Sequence, residues 1–149
     1  MPQNFTSAPE NYEIHSFVSE GPDIVVTPAE HKGRGVLHSH SFYEIVYVAE
    51  GFTLHQSCGR ITMLITGDFF FVKPGEVHSY INAYQTKLYN LLFVPAALGD
   101  SFSALSALPG LDEMFSPSGE SLDPTHRLLH VSIGERRNIE SALEKMIGE

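Results

Sequence analysis

Between residues 36 and 94 the apolar positions come in short alternating or continuous runs, separated by Gly, Pro and polar residues, which is strand patterning rather than helix patterning. Ahead of that block, a weak alternation over 12–18 and a β-branched run over 24–27, bounded by Gly21-Pro22 and Pro28, predict two further strands. A polar, glycine-containing connection follows at 30–35. The strong strands are 43–48, apolar apart from Glu44; 52–56, after a turn at Gly51; 61–65, after a hairpin turn at 57–60; 69–72, after Gly67-Asp68; and 87–94. In the last, Leu88, Asn90, Leu92 and Val94 share one face and Tyr89, Leu91 and Phe93 the other. Short strands at this even spacing predict a mainly β fold, a small antiparallel barrel or sandwich of the jelly-roll kind.

After Val94 the period changes. Pro95 opens a segment to residue 108 with apolar residues at helical intervals, ended by Pro109, and a Ser-, Pro- and Gly-rich stretch at 116–124 reads as a mobile connection. Ser132 and Glu135 form a capping-box pattern, and Ile139, Leu143 and Met146 recur at i, i+4 and i+7. This amphipathic helix must lay its stripe on a face of the barrel or on a second copy of the chain.

Composition narrows the class. The 149 residues suit one domain with a real core, and 42% hydrophobic and 11% aromatic residues exclude a disordered chain. A formal charge of -9 and a pI near 5.3 argue against this chain gripping nucleic acid, which needs a basic face. The single cysteine, Cys58, cannot form an internal disulfide and reads as a hairpin residue without chemistry, which points to a reducing cytoplasm. No signal peptide and no apolar run of membrane-spanning length is visible.

The chemistry-bearing residues cluster. His38 and His40 are two apart, so on an extended strand both imidazoles face one side, and Glu44 joins them if the chain bends at Ser41-Phe42. A buried carboxylate there needs a partner. His78 follows Pro74-Gly75, a turn that can return the next strand alongside the last. Three imidazoles and a carboxylate suit a transition metal, whether zinc, iron, manganese or nickel, or form a polar floor for an organic ligand. Tyr80, two residues beyond His78, faces the same interior, where it can stack on a sugar ring, donate to a hydroxyl or simply pack. Tyr43 and Tyr47 point away from Glu44 as packing or interface residues. His55, His126 and His130 read as surface or satisfied histidines outside the cluster.

These phrases resemble the cupin family. His38, His40, Glu44 and Gly51 stand at the spacing of its first motif, and Gly75, His78 and Asn82 at that of its second. Gly33 is one residue too close to His38, Gly67 one residue too far from the second motif, and proline directly precedes Gly75. Beyond the motifs, Leu108-Pro109-Gly110-Leu111-Asp112-Glu113-Met114-Phe115, Leu128-Leu129-His130-Val131-Ser132 and the final helix resemble the segment that follows the sensor barrel of AraC-type transcription regulators. The barrel phrases are similar to the sugar-responsive members of that family.

The resemblance implies an N-terminal arm at 1–20, a cupin-like barrel at 21–95 and a helical segment at 96–149 leading to a DNA-binding domain outside this chain. It implies a ligand-sensing and dimerisation domain with a small-molecule effector, a sugar, bound in the barrel by His38, His40, Glu44, His78 and Tyr80. Effector binding would then shift the arm or the final helix, and the dimer would reach DNA only through the outside domain. The runner-up expectation is a small metal-dependent cupin enzyme, a dioxygenase or sugar isomerase, holding its ion with His38, His40, Glu44 and His78.

Overall fold

The computed structural model describes residues 10–13, 24–115 and 128–147. Of the arm expected at 1–20, residues 1–9 and 14–20, with most of the strand expected at 12–18, lie outside the described residues, as do the stretch at 116–124 and His126. Among the described residues there are eight strands: β1 (Glu10–Tyr12), β2 (Ile24–Gly33), β3 (His38–His40), β4 (Tyr43–Ser57), β5 (Arg60–Ile65), β6 (Asp68–Val72), β7 (His78–Phe93) and β8 (Leu128–His130). They join one sheet in the order β1-β3-β7-β4-β6-β8, with β2 also paired to β7 and β5 to β4. The fold is the expected mainly β, cupin-like antiparallel jelly roll followed by helices; among the described residues only the β1–β3 pair runs parallel.

Strand lengths depart from the sequence reading in three places. Gly51 does not open a turn: it lies within the 15-residue β4, at φ +80°, where the register with β7 shifts. A Cβ there would meet the Gln85 carbonyl oxygen at 2.4 Å, so only glycine lets β4 and β7 cross this closely. The run at 87–94 is accordingly the second half of the 16-residue β7. Nor does Pro28 end β2, which continues to Gly33; among the described residues β2 pairs only with β7, and an edge strand tolerates proline.

Connectivity differs as well. The Pro74-Gly75 turn does not return β7 beside β6, because both strands pair with β4 from opposite sides. The turn crosses the end of the sheet and is pinned there by Gly75 N–H donating to the His40 carbonyl at 2.7 Å. The hairpin at Cys58-Gly59 is as expected, with both residues at positive φ between Ser57 and Arg60.

The helix expected over 95–108 is broken at Gly99 into α1 (Pro95–Leu98) and α2 (Asp100–Ser106), followed by α3 (Asp112–Phe115). Tyr43, Phe71, Phe93, Met114 and Phe115 form a buried cluster beneath them. The capping-box helix is α4 (Ile133–Ile147), where Ser132 Oγ donates to the Glu135 carboxylate at 3.0 Å. Leu143 and Ile139 pack with Val26 and Tyr47 on the outer face of the barrel, while Met146 remains 43% exposed. Tyr43 and Tyr47 face these helices, as their alternation with Glu44 implied; Tyr47 donates to Glu140 at 3.0 Å.

Candidate functional site

The inner face of β4 changes parity along its length. Glu44, Val46 and Val48 are buried in the first half; after the irregularity around Gly51, Thr53, His55 and Ser57 are buried and Phe52 is 41% exposed. Inserting irregular residues into a period-two strand exchanges its faces, and here it turns His55 inward. The bend at Ser41-Phe42 brings Glu44 back under His40, and β7 delivers His78 opposite His38.

At the centre, His40 Nε2 lies 3.0 Å and His78 Nε2 3.6 Å from Glu44 Oε2. The ligand atoms of His40, Glu44 and His78 all fall within 4.8 Å of one another, the only such buried group among the described residues. His38 stands beside this trio, its ring 4.2 Å from that of His78, but does not join it. His40 donates from Nδ1 to the Phe42 carbonyl at 2.7 Å, and its Nε2 faces a Glu44 carboxylate oxygen at 3.0 Å. A nitrogen and a carboxylate oxygen at that distance have a hydrogen or a cation between them.

Beneath His78 lies a histidine that sequence reading left out of the site. His55 is fully buried and its Nε2 is 3.0 Å from His78 Nδ1. The signal for it, the alternation Thr53, His55, Ser57, is legible only once Gly51 is known to lie inside the strand. Burial, then the neighbouring His55, His38 and His40, hold the His78 pKa well below the ordinary histidine value, so the ring is neutral near physiological pH.

Above the trio a cavity of about 460 Å³ opens, within the range of small-molecule sites. Glu44, His40, His38, Tyr80 and Asn90 line it, together with Tyr12 of β1, whose ring lies 5.5 Å from that of His38. Tyr80 is 4% exposed, its ring 4.6 Å from that of His31, and burial followed by Glu44 raises its pKa well above the ordinary tyrosine value. The Tyr80 hydroxyl, Asn90 Oδ1 and His78 Nε2 are buried atoms without a hydrogen-bond partner among the described residues. His31 and Asn90 were likewise not picked out as site residues from the sequence. A larger surface groove of about 710 Å³ runs past Phe52, Tyr84 and Lys87, but none of those unpartnered atoms belongs to its walls.

His130, expected to be satisfied, donates from Nδ1 to Asp68 at 2.7 Å. Cys58 is exposed in its turn.

Comparison with known proteins places this arrangement. The HTH-type transcriptional activator RhaR of Klebsiella pneumoniae is 30% identical over 107 residues, 72% of this chain and 36% of that protein. The RhaR of Mannheimia succiniciproducens is 32% identical over 82 residues, 55% of this chain and 30% of that protein. The chain thus spans about a third of the length of these relatives. Among solved structures, an RmlC-like cupin from Shewanella frigidimarina aligns with a TM-score of 0.44 at 28% identity, covering 46% of this chain and 64% of that one. KdgF from Halomonas aligns with a TM-score of 0.45 at 22% identity, covering 50% and 73%. The AraC-like ligand binding domain family matches residues 21–147, nearly all of the barrel and its helices, and the chain belongs to that family.

Proposed function

We propose that this chain is the effector-sensing domain of an AraC-type transcription regulator, and that it binds a small sugar in the cavity between the His40–Glu44–His78 trio and Tyr80. The observation that carries this reading is a pair of buried polar atoms in the wall of one cavity, the Tyr80 hydroxyl and Asn90 Oδ1, which have no hydrogen-bond partner among the described residues. Leaving such atoms unpaired costs about 1–3 kcal/mol each, a cost that a polyhydroxylated ligand removes by pairing with them. His31 and Tyr80 add ring faces against which a sugar can lie. RhaR-type activators among the relatives support a regulator rather than an enzyme.

The transduction route is short. Strands β2, β4 and β7 line the cavity with Thr27, Glu44 and Asn90, and their other face holds α4 through Val26, Tyr47 and the Tyr89–Glu144 contact at 3.5 Å. A shift of one sheet layer therefore reaches α4, the candidate dimer helix, and DNA contact belongs to a domain outside this chain. Such a regulator acts in the cytoplasm. Titration with free pentoses, hexoses and deoxyhexoses, followed by thermal shift and calorimetry, tests the reading. Saturable binding that Tyr80→Phe and Asn90→Ala weaken supports it; no binding of any sugar to the folded protein removes the sugar assignment.

A divalent transition metal fits the same corner. His40 Nε2, His78 Nε2 and Glu44 Oε2 are an N/N/O donor set that zinc, iron, manganese or nickel accepts. When bound, such an ion would supply a Lewis-acid contact for a sugar hydroxyl or for catalysis. The trio thereby favours a second reading, a small metal-dependent cupin enzyme. Stoichiometric metal in the purified protein together with turnover of a substrate would establish that reading; metal that alters sugar affinity without turnover would leave the sensor in place.

A further inference from the structure

Three imidazoles at the site are tied down through Nδ1. His38 and His40 donate from Nδ1 to the carbonyl oxygens of Val36 and Phe42, at 2.9 and 2.7 Å. A carbonyl only accepts, so each of these rings carries a proton on Nδ1 and turns Nε2 to the site. His78 repeats the arrangement with one difference. Its Nδ1 faces, at 3.0 Å, the Nε2 of another side chain, His55, which can either accept or donate. If His55 accepts, its own proton sits on the buried Nδ1 and His78 Nε2 is a lone pair beside Glu44. If His55 donates, His78 Nε2 carries the hydrogen and the corner loses a ligand atom.

We propose that His55 is a positioning residue: it accepts from His78 Nδ1–H, holds His78 in the Nδ1–H tautomer, and thereby gives the corner an imidazole lone pair at His78 Nε2. The inference rests on the corner being the ligand-binding site described above. It extends that site to a residue which touches no ligand itself.

Three observations carry it. First, His78 Nε2 stands 3.6 Å from Glu44 Oε2 without a hydrogen bond, whereas an N–H aimed at a buried carboxylate closes to about 2.7–2.9 Å. Second, both rings are fully buried and His55 is wedged edge-on against Phe70 at 4.4 Å and beside Tyr80 at 5.2 Å, so it cannot swing away. Third, the irregularity around Gly51 exchanges the faces of β4 and so turns His55 inward, and the register shift between Leu54 and His55 sets it opposite Tyr80, two residues from His78 on β7. The lone pair so produced serves a borderline divalent cation or a sugar hydroxyl, both of which need an acceptor nitrogen.

The test uses ¹⁵N-labelled, metal-free protein at mildly alkaline pH, with ring nitrogens of His78 read by long-range proton–nitrogen correlation, followed by calorimetric titration with zinc. In the unsubstituted protein His78 should show a protonated Nδ1 and an unprotonated Nε2. His55→Phe should abolish that single tautomer and weaken zinc binding about 10–100-fold, the usual effect of losing a partner behind a ligating histidine. His55→Gln, whose side-chain carbonyl accepts, should restore both. A protonated Nε2 on His78 in the unsubstituted protein overturns the proposal, as does unchanged zinc affinity in folded His55→Phe. If zinc does not bind the unsubstituted protein, the metal reading of the site falls and the His78 tautomer alone decides the role of His55. If His55→Phe fails to fold, His55→Gln and the unsubstituted spectrum decide it.

Discussion

Replacing Tyr80 by phenylalanine should make the protein more stable and a poorer receptor. The Tyr80 hydroxyl is buried without a partner among the described residues, in a residue only 4% exposed. In the unfolded chain the same hydroxyl is hydrated, so folding carries a desolvation penalty of about 1–3 kcal/mol that phenylalanine does not incur. The ring itself stays: its contacts with His31 at 4.6 Å and His55 at 5.2 Å involve the aromatic faces and edges, not the oxygen. Allowing for the small void left by one oxygen atom, Tyr80→Phe should gain about 1 kcal/mol, which raises Tm by about 2–4 °C in a chain of this size. Effector affinity should fall roughly 5–10-fold, the loss of one neutral hydrogen bond. Urea and thermal unfolding in the absence of ligand measure the first effect and calorimetry with the bound sugar the second. A loss of stability greater than about 1 kcal/mol would show that the hydroxyl is already paired in the folded state. A stability gain with unchanged affinity would take Tyr80 out of the ligand contacts.

Acidification should destabilise the barrel below the ordinary histidine pKa. Burial depresses the folded-state pKa of His78, so below about pH 6.5 the unfolded chain binds a proton that the folded ring refuses, and stability falls by about 1.4 kcal/mol per pH unit until that ring titrates. His31, shifted the same way but only half-buried, adds less; equal urea midpoints at pH 8 and 5.5 would contradict the argument. Gly51→Ala should cost more than about 3 kcal/mol, because φ +80° is strained for alanine and its Cβ would meet backbone oxygens of Gln85 and Tyr84 at 2.4 and 2.5 Å; near-native melting would show the crossing to be looser than described. Leu143→Ala should cost about 2–3 kcal/mol and loosen α4, seen as faster amide exchange in the helix, since Leu143 is its buried anchor against Val26 and Tyr47.

Local order in the sequence determined a good deal. Strands of period two, turns marked by Gly and Pro and a capped amphipathic helix are encoded within a few residues of each other, so the antiparallel jelly roll and α4 were legible. The same holds for His38, His40, Glu44 and His78, whose short spacings and shared motif mark them together. What only the tertiary structure decided depends on contacts distant in the chain. Gly51 reads as a turn until β7 is seen passing it; only then is its positive φ a crossing point, with the faces of β4 exchanged beyond it and His55 brought inside. Likewise Pro74-Gly75 looks like a hairpin locally, but β4 takes both neighbouring strands by their backbones. His31 and Asn90 carry no motif, and register alone places them in the cavity wall. Periodicity fixes which residues share a face, but which face turns inward is settled by irregularities whose cause lies on another strand.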